Sequence, residues 1–294
     1  VTAPLLLDLD GSLGGLGGQI VPLRDWEEAV RFGCAHATWR NFRRHLDGVL
    51  PEKHGTVCMG SGDFHHITQL LLARRQGGEP FDLVVLDNHP DNMRFPFGVH
   101  CGSWVSLAAR LPQVRSVHVL GITSGDVAWR HAWENRLTPL LRGKLSYWTI
   151  GVDTGWMKHF GMGRGARMFD DAPTLVDRFI AELPQIIPGA AYLSIDKDVF
   201  APHVASTNWD QGVFELEDAR RLIGALSGKL IGSDITGEVS LHHYRTPWKR
   251  WLSALDGQPD IPGDQLAAMQ AGQRAVNLTL LEWLAQASGS AEFR

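Results

Sequence analysis

The chain has little tyrosine and little cysteine, no long hydrophobic run and no strong charge of either sign. Its three cysteines, Cys34, Cys58 and Cys101, are far apart and form no C-x-x-C pair. An odd, scattered set of thiols fits a reduced, cytoplasmic protein better than a disulfide scaffold. No apolar run approaches the roughly 18 residues of a membrane span. The opening stretch "VTAPLLLDLDG" lacks the basic start and long apolar segment of a signal peptide. The net charge is −4 with no basic cluster, so neither nucleic acid nor a membrane is an expected partner. No linker, low-complexity tract or internal repeat divides the 294 residues, and one domain spanning 1–294 is expected.

What is present is a rhythm. Apolar runs occur at 4–11, 56–61, 81–88, 116–122, 144–151, 190–196 and 229–235. Unbroken apolar runs of this length suit strands covered on both faces. Helical patterns lie between them, at 26–46, 67–76, 172–183 and 215–226, with a closing helix over 264–287. The alternation predicts an α/β fold, three layers α/β/α around a mostly parallel, doubly wound sheet of about seven to eight strands. In such sheets ligands gather beyond the carboxyl ends of the strands.

Chelating residues fall at those ends. The second run leads to His65 and His66, the third to Asp87, His89 and Asp91, the sixth to Asp196 and Asp198, and the seventh to Asp234 and Glu238. In an extended segment residues i and i+2 share a face, so Asp87, His89 and Asp91 are expected together, as are Asp196 and Asp198. Four carboxylates in one crevice repel one another, and two divalent cations would neutralise them. An oxygen and imidazole donor set without thiolate suits manganese better than structural zinc. A lone aspartate at a strand end is usually a cap or turn residue, the role expected of Asp82, Asp126 and Asp210.

"GDFHH" (62–66), "DNHPD" (87–91), "SIDKD" (194–198) and "GEVS" (237–240) together resemble, in order and spacing, the signature motifs of the arginase/agmatinase ureohydrolases. The resemblance runs from about Gly60 to Leu241. It implies an arginase-like fold and a binuclear Mn2+ hydrolase acting on a C–N bond of a guanidino or amidino compound, with a metal-bridging hydroxide as nucleophile. One metal would take a histidine of "GDFHH" with Asp87, Asp91 and Asp196. The other would take His89, Asp87, Asp196 and Asp198. Because Phe64 separates the Gly-Asp pair from the histidines, His65 and His66 both stand as candidates, the pattern favouring His66. "GVHCGSWVSL" (98–107) makes His100 the expected proton donor to the leaving amine, Asp198 would orient the hydroxide, and Glu238 would bind the guanidinium.

The sequence departs from the family where Ala201 precedes Pro202 and where "NMRFPFG" follows Asp91, so plain arginine is not the expected substrate. Arg94, Trp156 and Trp209 are the candidates for specificity, and a small cationic molecule is the expected partner, with association of like chains left open. Two other readings compete. "DLDGS" (8–12) matches the start of haloacid-dehalogenase-type phosphatases, with Asp8 as nucleophile, Asp10 as acid and Mg2+ as cofactor. An arginase-like chain that keeps metals without catalysis is the other.

Overall fold

The computed structural model describes residues 3–255 and 261–289. Eleven strands occur among them: β1 (Leu5–Asp8), β2 (Gln19–Pro22), β3 (Gly33–Ala35), β4 (Val57–Cys58), β5 (Phe81–Leu86), β6 (Gly98–His100), β7 (Val114–Ile122), β8 (Leu145–Ile150), β9 (Ala166–Phe169), β10 (Ala191–Asp196) and β11 (Leu230–Thr236). Nine form one sheet in the order β2-β1-β4-β11-β10-β5-β7-β8-β9, and every pairing in it is parallel. β3 and β6 make a separate antiparallel ribbon.

All seven apolar runs became strands. In β5, Phe81, Leu83 and Val85 pack into one core while Val84 and Leu86 pack into the core of the opposite face. That two-sided burial is why the run carries no polar alternation. Helices Ala172–Ile186, Leu216–Ala225 and Leu266–Gly289 cover one face through Phe179, Leu222 and Leu280. Helices His36–Val49 and Thr68–Ala73 cover part of the other through Trp39, Phe42 and Leu70. The arrangement is the three-layer α/β/α fold around a parallel sheet that the sequence predicts. No helix of the described residues is long and apolar enough to cross a membrane.

Two expectations need correction. The sheet has nine strands rather than seven or eight, because β2 and β9 are edge strands with mostly exposed or half-buried residues. Their sequences, "QIVP" and "ARMF", carry no apolar run to announce them. The helix expected over 26–46 is broken at its centre, into Glu27–Val30 and His36–Val49. Phe32 there takes a left-handed conformation, φ 67°, and its backbone N–H donates to the Asp63 carbonyl. Arg31 is buried, donating to Asp63 Oδ2 (2.7 Å) and Ser240 Oγ (2.9 Å). Tertiary pairing thus overrides helical periodicity, and the β3–β6 ribbon formed there ends on His100, carrying it to the crevice.

Candidate metal centre

A crevice of about 430 Å³ opens where the carboxyl ends of β5 and β10 meet. Asp87 follows β5 directly, its N–H donating to the Leu120 carbonyl (3.1 Å). The chain then turns rather than running on extended. His89 N–H donates to Asp87 Oδ1 (2.6 Å), and Asp91 sits at φ 45°. Asp196 ends β10 and caps the 3-10 turn Lys197–Val199, accepting from Asp198 N–H (3.1 Å). The pairs and triplet do converge, but through turns closed by aspartate side chains, not through strand pleat as their spacing suggests.

His65 Nδ1 lies 3.1 Å from Asp87 Oδ2, 3.2 Å from Asp91 Oδ2 and 3.4 Å from Asp196 Oδ2. His89 Nδ1 lies 2.9 Å from Asp198 Oδ2 and 3.6 Å from Asp87 Oδ1. Two donor groups of the kind that hold a metal ion result, His65/Asp87/Asp91 and Asp87/His89/Asp198, with Asp87 common to both. Within each group one donor atom per residue lies within 4.8 Å of the others.

The residues fit a divalent ion on two further grounds. His65 Nδ1 and Asp87 Oδ2 are buried and face each other at 3.1 Å without the alignment of a hydrogen bond, a state that costs free energy unless something charged fills the gap. The imidazoles are also oriented by their far nitrogens. Ser194 Oγ donates to Asp234 Oδ1 (2.6 Å), so it accepts from His65 Nε2–H (2.9 Å), leaving the lone pair on Nδ1. His89 Nε2–H donates to Asp210 Oδ1 (2.8 Å), with the same effect. Such outer partners set the tautomer of a metal-binding histidine.

The electrostatics agree. Burial, then the charge of Asp87, pushes Asp91 and Asp198 up to about 7. Burial and Asp198 raise Asp196 well above the carboxylate range. Burial opposes charge on His65, yet Asp87, Asp91 and Asp196 outweigh it and hold its pKa well above the ordinary value. Asp87, despite burial, is held low by His65 and His89. Without a cation the cluster retains protons that a metal would displace.

The other candidates divide. His65 rather than His66 enters the cluster, because the 3-10 turn Gly62–Ile67 points successive residues in diverging directions. His66 packs its ring on Trp39 instead (5.0 Å). His100 and Trp209 line the crevice, the Trp209 ring 5.9 Å from that of His89. His100 Nδ1 accepts from Gly102 N–H (3.0 Å), and burial lowers its pKa to about 4. With its Nδ1 accepting, the neutral ring carries its proton on Nε2.

Three substrate candidates lie outside the crevice lining. Arg94 is exposed and donates to the Asn135 carbonyl (3.0 Å), and Trp156 donates to the Val127 carbonyl (3.1 Å). Glu238 is buried and paired with Lys197. Asp10, the second aspartate of "DLDGS", accepts from Ser12, Ser61 N–H and Ser240 and faces Arg31, which leaves it no role as an acid. Neither Asp8 nor Asp10 belongs to a donor group.

Sequence reasoning missed Asp210, read as a turn residue, and Ser194 and Trp104; Asp234, expected among the chelators, instead accepts from Ser194 and Thr68 behind His65. Trp104 Nε1–H donates to Asp91 Oδ2 (2.6 Å). It missed Asp82 too, which is no cap but the buried partner of Arg115 and Ser116.

No family model matches the sequence. A stretch of 194 residues is 26% identical to an uncharacterized protein of Thermotoga maritima, covering 66% of this chain and 62% of that protein, so the chain spans less than two thirds of that relative. Among solved structures, arginase from Bacillus subtilis superposes with a TM-score of 0.53 at 14% identity, over 97% of this chain and 98% of that one. Arginase from Bacillus caldovelox gives 0.50 at 13%, over 96% and 98%. Proclavaminate amidino hydrolase from Streptomyces clavuligerus gives 0.50 at 17%, over 86% and 70%. At these identities the likeness is one of fold: the chain has the fold of the arginase-type ureohydrolases, at a long sequence distance.

Proposed function

We propose that the chain is a metal-dependent hydrolase that splits a C–N bond at a planar, trigonal carbon, the class that includes guanidino, amidino and carboxamide compounds. The observation that carries this reading is the pair of donor groups sharing Asp87 on the floor of one crevice. His65, Asp87, Asp91 and Asp196 would hold one divalent ion, and His89, Asp87, Asp196 and Asp198 the other. The oxygen and imidazole donors favour manganese. Such ions, when bound, supply a Lewis acid and an acidified water at neutral pH.

The chain's own residues do the rest. Asp198 faces the crevice and can accept a proton, His100 Nε2–H can donate to an oxygen or nitrogen at the reacting carbon, and Trp209 shields that carbon from bulk water. Asp126, Glu134 and Asp210 also line the crevice, with no lysine or arginine among the lining residues. That balance supports a substrate carrying positive charge away from the reacting carbon.

The reading is tested by elemental analysis of protein purified without chelator and reloaded with manganese, beside Asp196→Ala. About two ions per chain, falling on substitution, would support it. A protein that retains no transition metal would sink it. Two tightly held ions with no turnover of any C–N substrate would favour the non-catalytic reading.

A further inference from the structure

A cavity of about 710 Å³ lies at the amino ends of β5 and β10, at the opposite rim of the sheet from the metal centre, with Phe81, Ala190 and Tyr192 in its wall. Ligands of such sheets gather at the carboxyl ends, so this cavity needs its own evidence of an occupant. Arg75, also in the wall, supplies it. The side chain is half-buried, its guanidinium carbon 5.4 Å from the centre of the Tyr192 ring. It also lies against the backbone of Gly232, where a Cβ would overlap Arg75 Nη2 and come within 2.8 Å of Cζ. The register of β10 on β11 shifts here, Ala191 pairing with Leu230 but Tyr192 with Gly232, and this irregularity brings the glycine beside the tyrosine. Ring and glycine thus fix the guanidinium, yet among the described residues nothing accepts a hydrogen bond from it and no acid pairs with it. A half-buried fork of five N–H donors without an acceptor costs the fold free energy. An anion in the cavity would answer it.

The formal charges of the wall balance, three arginines against three acids, but their positions do not. Arg74 and Arg43 share a single carboxylate, Asp47, at 2.9 Å and 3.6 Å. Glu52 and Glu79 are exposed, where solvent and salt screen them. Arg75 stands deeper, against the ring. Burial lowers the pKa of His54, another wall residue, and the charges of Arg75 and Arg74 lower it further, so positive potential reaches the inner wall. A guanidinium fork matches the paired oxygens of a carboxylate or a phosphoryl group, and the under-answered charge of Arg74 and Arg43 suits a second negative charge.

We propose that this cavity is a second binding site, separate from the metal centre, for a small dianion, either a phosphate ester or a dicarboxylate. Arg75 grips the ligand through its fork, while Arg74 and Arg43 answer the rest of its charge. No bond is made or broken there, and the site stands whether or not the crevice is a hydrolase centre.

The test is calorimetric titration of the full chain at pH 7 with inorganic phosphate and with succinate, on manganese-loaded and on chelator-treated protein. At least one probe should bind with a Kd of about 1 mM or tighter, with or without manganese. The tighter of the two identifies the ligand as phosphoryl or dicarboxylate. Arg75→Ala, which leaves the crevice untouched, should weaken that probe at least about tenfold and leave the manganese content unchanged. Weaker binding of both probes to the unaltered chain would overturn the proposal, as would a smaller effect of Arg75→Ala. Binding that vanishes when manganese is removed would overturn it too, since bound metal draws anions into the crevice. If Arg75→Ala does not fold, Asp47→Asn decides. Freeing Arg74 and Arg43 from their acid should tighten the probe at least about twofold, and unchanged or weaker binding would refute the site.

Discussion

Replacing Lys197 by methionine keeps most of the side chain's volume and removes its charge, leaving Glu238 buried with only the Asn277 amide to answer it. Both side chains of the pair are nearly inaccessible, 0% and 2% exposed, so solvent screening does not soften the loss. Removing one partner of a buried ion pair costs about 3–5 kcal/mol, whereas exposed pairs are worth about 0–1. For a chain of this size each kcal/mol moves Tm by about 2 °C, so a fall of about 6–10 °C is expected. Glu238→Gln should cost a similar amount by stranding the ammonium. The double variant should recover much of the loss, with a coupling energy of at least about 2 kcal/mol. The assay is urea unfolding at pH 7, followed by tryptophan fluorescence, on chelator-treated protein so that metal affinity does not enter. A single-variant loss below about 1 kcal/mol, or two losses that simply add in the double variant, would refute the buried pair.

Ser194→Ala removes the acceptor that sets the His65 tautomer and should weaken manganese binding about 10–100-fold, read by metal-buffer titration. An unchanged affinity would show that the ring orients itself. With Asp91 and Asp198 raised to about 7, protons compete with metal as pH falls. Manganese affinity should therefore drop steeply from pH 8 to pH 6, with proton release on binding visible as a buffer-dependent heat; a flat profile would contradict the charge assignment. Glu28 accepts from Thr246 Oγ1 (2.7 Å), Thr246 N–H (3.0 Å) and His242 Nε2 (2.8 Å), and despite partial burial its pKa is lowered to about 2. A depressed acid stabilises the fold above its unfolded value and loses that contribution as pH falls through the folded one. Glu28→Gln should thus cost about 1–2 kcal/mol at pH 7, discounted for partial exposure, and flatten stability between pH 4.5 and 2; an unaltered acid profile in the variant would count against it.

The legible parts of the molecule are those where a residue's neighbours in sequence also determine its environment. β5 announces itself because every side chain from Phe81 to Leu86 is buried, and Asp87 and Asp91 because no core needs carboxylates at the end of such a strand. The choice between His65 and His66 was not legible, since it depends on a 3-10 turn whose sense of rotation is not in the letters. Asp210 reaches His89 from 121 residues away, and nothing local separates it from an ordinary turn aspartate. Neither the inward direction of Lys197 nor its partner Glu238 was legible, because the first depends on the 3-10 turn Lys197–Val199 and the pairing exists only once β10 and β11 lie side by side.

The strand order has a consequence for how the chain comes together. β1, β2 and β4 lie on one side of the sheet and β5, β7, β8 and β9 on the other, and the two groups touch only through β10 and β11. The two joining strands come late, after residue 190. A nascent chain therefore holds two half-sheets with open, apolar inner edges until its last third is made, and those edges are where wrong pairing would begin. Closure at such sequence separation is slow. Asp196 and Asp198 arrive with β10, which pairs with β5, so the second donor group can form one strand before β11 closes the sheet onto β4.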